Sequence, residues 1–94
     1  MKDIRKKRGL RQTDLAHLVG QELGRYIDRV TIGNWERGSG DRPDYYYWPN
    51  WREIQALAKV LQAKPEDLFP ADVLQYAELG RQMDEIKSKY REGE

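Results

Sequence analysis

A chain of 94 residues with one histidine and no cysteine suffices for a single domain with one modest core, and excludes disulfides, thiolate zinc sites and a histidine-rich metal site, so no cofactor is expected. Mean hydropathy is −0.98, no apolar run nears the roughly 18 residues of a membrane span, and none follows the basic start Met1–Arg8, which predicts a cytoplasmic protein with no membrane partner. The net charge of +1 divides into +5 over residues 1–64 (13 Lys+Arg, 8 Asp+Glu) and −4 over residues 65–94 (4 against 8), leaving the first part able to face a polyanion.

Helical spacing dominates, and no sustained period-2 alternation occurs outside the run Y-Y-Y-W, so the expected fold class is all-α. A short first helix spans about Lys2 to Arg8, with Gly9 as its stop and Lys6, Lys7 and Arg8 in the last turn, where the helix dipole favours cations. A second runs from about Gln12 to Leu23, lining one face with Leu15, Ala16, Val19 and Leu23, and ends at Gly24. The third begins with Asp28 as cap, has Ile27 placed to staple onto Ile32, and closes at Gly38. A fourth starts after Pro49 with Asn50 as cap and is expected to bury Trp51, Ile54, Leu57, Ala58 and Leu61. Pro65-Glu66-Asp67-Leu68-Phe69 adds one turn, stopped by Pro70. A last helix, about Ala71 to Arg91, spaces Tyr76, Leu79, Met83, Ile86 and Tyr90 by 3, 4, 3 and 4 residues. That spacing is a heptad seam for a dimer partner, or equally one face of a helix folded onto its own domain.

Two helices joined by a turn, with Ala16 inside the first and Ile32 and Trp35 inside the second, can hold the outer face of the second against a DNA major groove. The sequence here resembles the phage-repressor-like helix-turn-helix proteins, the XRE family. The resemblance runs through I-R-K-K-R-G-L-R-Q-T-D-L-A, then V-T-I-G-N-W-E-R-G, then P-N-W-R-E-I-Q-A-L-A-K-V-L and P-E-D-L-F, roughly residues 1–69. It implies a five-helix, lambda-repressor-like domain over residues 1–70, with residues 71–94 as an additional C-terminal helix for dimerisation or packing. By the same resemblance Gln12 is the phosphate-contacting glutamine, Arg29, Val30, Thr31 and Asn34 reach base edges, and Arg37 lies near the backbone. The residue types fit those roles: Arg29 can give two hydrogen bonds to guanine, Asn34 can pair with adenine, and the methyls of Val30 or Thr31 can pack on thymine.

Gly33 interrupts this third helix, where glycine costs about 0.5–1 kcal/mol relative to alanine. Placed between Val30 and Asn34 on the outward face, it either permits close approach to DNA or is an exposed accident. Other departures from the family pattern are a link between the second and third helices longer by about six residues, and Arg11 in place of a serine cap, where a cation can reach phosphate. An enlarged loop, 39–49, holds Arg42, Tyr45, Tyr46, Tyr47 and Trp48. Arg42 and the tyrosine hydroxyls, Tyr45 among them, can hold phosphates; the rings can instead face a second subunit or cover the core, as Trp48 and Trp51 are expected to do.

The function expected is a sequence-specific double-stranded DNA binder, bacterial or phage-encoded, acting as a repressor and homodimer on a two-fold-related operator. The alternative is an antitoxin-type or other protein-interaction module docking a partner protein through the aromatic loop or the last helix. An enzyme is not expected, because His17, Ser39 and Ser88 form no nucleophile-base set with any sequence support.

Overall fold

The computed structural model describes residues 1–37 and 48–92, the side chains of residues 90–92 excepted. The described chain is all helical: α1 (Lys2–Lys7), α2 (Gln12–Leu23), α3 (Arg29–Arg37), α4 (Trp51–Leu61), α5 (Pro65–Leu68) and α6 (Ala71–Glu92). No strand occurs among the described residues, and no helix there is long and apolar enough to cross a membrane.

Local chemistry sets the helix ends. The Asp28 carboxylate accepts from the Thr31 backbone N–H and from its hydroxyl, both at 2.8 Å, satisfying one of the amides that the first turn of α3 leaves unpaired. Asn50 and Glu53 form a reciprocal pair at the start of α4: the Asn50 side chain accepts from the Glu53 N–H at 2.9 Å, and Glu53 accepts from the Asn50 N–H at 2.8 Å. At the start of α2 only half of that arrangement forms. Arg11 has no acceptor to offer, but Asp14 accepts from the Arg11 N–H at 2.9 Å. The C-terminal end of α4 is satisfied from outside, since Arg8 donates to the carbonyls of Leu61 (2.9 Å) and Gln62 (3.3 Å).

The core is one cluster drawn from every helix after α1: Leu15 and Val19 from α2, Ile32 and Trp35 from α3, Ile54, Leu57 and Leu61 from α4, Leu68, and Val73 and Ala77 from α6. Ile27 joins it beside Ile32, as a hydrophobic staple requires. Trp48 is buried as expected, but Trp51 and Ala58 are only half-buried. Trp51 lies at the edge because its indole N–H reaches Asp84 of α6 at 3.0 Å, which ties the polar edge of the ring to the protein's exterior. Asp84 thereby ties α6 to the start of α4.

The first half of α6 packs on its own domain, though not through the whole heptad row. Val73 and Ala77 enter the core, while Leu79, Met83 and Ile86 stay 60%, 54% and 48% exposed. Tyr76 forms the transition, meeting Trp48 edge-on at 5.7 Å. The side chain of Tyr90 lies outside the described residues.

Candidate nucleic-acid interface

The joint between α2 and α3 fixes how α3 is presented. Gly24 closes α2 in the left-handed region, φ 71°, where glycine carries no Cβ penalty. The chain then turns back so tightly that a Cβ on Gly20 would lie 2.7 Å from the Arg25 carbonyl oxygen, so the close approach requires glycine there. The Arg25 N–H donates to the Gly20 carbonyl at 3.1 Å, and the Arg25 guanidinium pairs with Glu53 of α4. The extra residues in this link are thus absorbed by a fixed turn that delivers Asp28 as the cap of α3.

Burying Ile32 and Trp35 sets the rotation of α3 about its axis. Arg29 and Val30 are exposed, Val30 at 56%, while Thr31 and Asn34 are half-buried. The Thr31 hydroxyl is committed to Asp28. That contact and the Thr31 N–H, the stronger of the two, hold the Asp28 carboxyl below its ordinary range. Asn34 accepts from Arg37 at 3.2 Å, and Arg37 also donates to the Gly33 carbonyl at 3.3 Å. In this arrangement the Arg37 guanidinium folds back along its own helix.

The expected outward placement of Gly33 is corrected. Gly33 is buried on the side of α3 that meets the start of α2, beneath the ends of Gln12 and Arg37. A Cβ there would meet the Gln12 Nε2 at 3.6 Å and an Arg37 nitrogen at 3.7 Å, ordinary van der Waals distances to flexible side-chain ends. The rotation that buries Ile32 and Trp35 carries position 33 toward α2 rather than to the crest.

Gln12 is held in place from beneath. Its amide donates to Glu36 at 2.8 Å, and the other Glu36 oxygen accepts from the Arg5 Nε at 3.1 Å. Arg5 also donates to the Leu10 carbonyl at 2.9 Å. The side chains of Arg5 and Glu36 are 8% and 5% exposed, so this ion pair joins α1, α2 and α3 in the interior. Neither residue was expected from the sequence to hold the site together. The register carried a signal: Glu36 falls one helical turn after buried Ile32 and beside buried Trp35, where a carboxylate requires a partner.

Around these residues runs an open groove bordered by Lys2, Gln12, Arg29, Val30, Gly33, Glu36 and Arg37. With Glu36 paired to Arg5, the other polar side chains on the groove's border are the cations Lys2, Arg29 and Arg37 and the Gln12 amide, a lining for a polyanion. Arg11 stands close in sequence to Gln12 but is 83% exposed and bound to Asp14. The guanidinium and, second to it, the Arg11 N–H hold the Asp14 carboxyl low. His17 is exposed. Arg42 and Tyr45, with Gly38, Tyr46 and Tyr47, lie outside the described residues.

A helix-turn-helix family model, of the XRE-like kind, matches residues 1–68 of the chain. No curated protein and no solved structure matches it.

Proposed function

Because the chain belongs to the helix-turn-helix family, whose fold implies DNA-binding regulation, we propose that it is a sequence-specific double-stranded DNA-binding repressor of the phage-repressor type, with α3 as the major-groove helix. One observation carries the reading: Ile32 and Trp35 are buried, and on the same helix Arg29 and Val30 stand exposed above a groove lined by Lys2, Gln12 and Arg37. Arg29 reads guanine, Val30 packs on a thymine methyl, and Asn34, once Arg37 swings to a phosphate, pairs with adenine. Gln12, held by Glu36, and Arg37 contact the sugar-phosphate backbone. Thr31 contributes its methyl, since its hydroxyl is engaged.

A single α3 spans too few base pairs to define a genomic site, and paired half-sites one helical turn apart answer that need. The exposed row of Leu79, Met83 and Ile86 on α6 supports a homodimer formed through that helix. The same row supports the second reading, an antitoxin-type module that docks a partner protein there.

Selection of bound sequences from a random duplex library tests the first reading. A two-fold-related motif is expected, with binding that falls steeply as salt rises. A flat selection with a log-log salt slope near zero excludes it. Met83→Lys is expected to weaken binding to the full site far more than to a half-site; equal losses place the dimer contact elsewhere.

A further inference from the structure

The turn between α2 and α3 carries a residue that neither the core nor the groove beneath Gln12 accounts for. Tyr26 is 87% exposed, yet its neighbours are pinned. Arg25 packs its carbonyl against Gly20 and pairs with Glu53, and Ile27 is 6% exposed in the core. The ring is thus held outward on a backbone that is already ordered. Little further entropy is lost when such a group meets a partner.

Tyr26 borders a second open groove, whose wall along α2 is Thr13, His17 and Gln21 at successive i, i+4 positions and whose end is Asp28 and Arg29. Arg29 borders the groove beneath Gln12 as well. Arg29, at the start of α3, is therefore shared by two open grooves that follow one another along α2. The major groove of B-DNA, about 12 Å wide, has a sugar-phosphate strand along each edge, and a helix entering it brings its two flanks against both strands. The second channel suits such a strand. Its wall offers a hydroxyl, an imidazole, an amide and a phenol, and its carboxylate, Asp28, already accepts twice from Thr31.

We propose that the α2–α3 turn is a second backbone clamp, in which Tyr26, with Thr13 and His17, holds the sugar-phosphate strand across the major groove from the one held by Gln12 and Arg37. This rests on the DNA-binding reading above and adds to it the contact made by the lengthened link.

Binding of the full chain to the duplex recovered by the library selection above, followed by fluorescence anisotropy at several salt concentrations, tests the clamp. Tyr26→Ala is expected to weaken binding about tenfold, the scale of one hydrogen bond to a charged group. Thr13→Glu, which sets an anion in the channel, weakens it at least as much. Gln55→Glu, the same charge change on the exposed face of α4, leaves binding within twofold. Ethylation interference should show one strand's phosphate cluster lost in Tyr26→Ala and the other kept. If Arg29→Ala abolishes binding while Tyr26→Ala and Thr13→Glu stay within twofold, the clamp is overturned and the major-groove reading stands. Absence of salt-dependent binding by the unaltered chain overturns both. A change of oligomeric state in Tyr26→Ala with unchanged duplex affinity assigns the ring to a protein contact and overturns the clamp.

Discussion

Replacing Glu36 by glutamine keeps the side chain's shape and removes one charge, leaving the Arg5 guanidinium in the interior without its counter-ion. Arg5 is 8% exposed on its side chain and Glu36 5%, so water can restore little of the lost solvation. Removing one partner of such a pair costs about 3–5 kcal/mol. The isostere still offers an oxygen to the Arg5 Nε and a partner to Gln12, which sets the expectation at the lower end, about 3 kcal/mol. Small domains hold about 5–15 kcal/mol in total, so a large share of the stability is at stake. With a urea slope of about 1 kcal/mol/M the unfolding midpoint falls by about 3 M, at unchanged slope, and the three tryptophans report it by fluorescence. The paired replacement Arg5→Met with Glu36→Leu is the companion measurement. Exchanging both charges for apolar groups is often neutral or stabilising, so the double variant should be more stable than Glu36→Gln alone. A loss below about 1 kcal/mol in Glu36→Gln, or a double variant less stable than the single, would refute the assignment of this pair as a buried tie between α1 and α3.

The same substitution is expected to act with opposite signs at two helical glycines. Gly33→Ala meets only movable side-chain ends at ordinary contact distance and gains about 0.5–1 kcal/mol of helix propensity, whereas Gly20→Ala drives a Cβ onto the Arg25 carbonyl and loses about 1 kcal/mol or more net; thermal unfolding of the two variants checks both, and duplex affinity of Gly33→Ala should stay within threefold. Asp28 titrates below its ordinary range because Thr31 donates to its ionised form, so its contribution is present above the unfolded-state value of about 3.9 and is lost as pH falls through the lower folded value. The melting temperature of Asp28→Ala should therefore lie below that of the parent at neutral pH, with the gap closing in the acid range; a gap constant with pH counts against the cap.

Much of the helical framework was legible because its signals are local. Asp28 and Asn50 cap where their side chains reach amides three residues on, Gly24 stops α2, and the spacing of Leu15, Val19, Ile32 and Trp35 marks the buried faces. What escaped the sequence depends on distant partners. Arg5 and Glu36 are separated by 31 positions and Gln12 and Glu36 by 24, so no window along the chain contains either pair. The position of Gly33 followed from a rotation of α3 that only packing against α2 sets. In α6 the heptad row was visible, but the small inward residues Val73 and Ala77, a part-turn away, took the core contact and left Leu79, Met83 and Ile86 outside. Trp51 has an apolar composition that predicts burial, yet its indole nitrogen needed an acceptor, and Asp84 supplied one at the margin.

On α3, the side chains that anchor the helix and those that face outward barely overlap. Ile32, Trp35 and Glu36 fasten it and Asp28 starts it, while Arg29 and Val30 stand exposed. Exchanging those two residues alters the outer surface and leaves the scaffold intact. On the DNA-binding reading proposed above, a panel of variants at 29 and 30 is expected to alter site preference without re-engineering the domain, and natural drift at the same two places to retarget the protein at little cost to its folding.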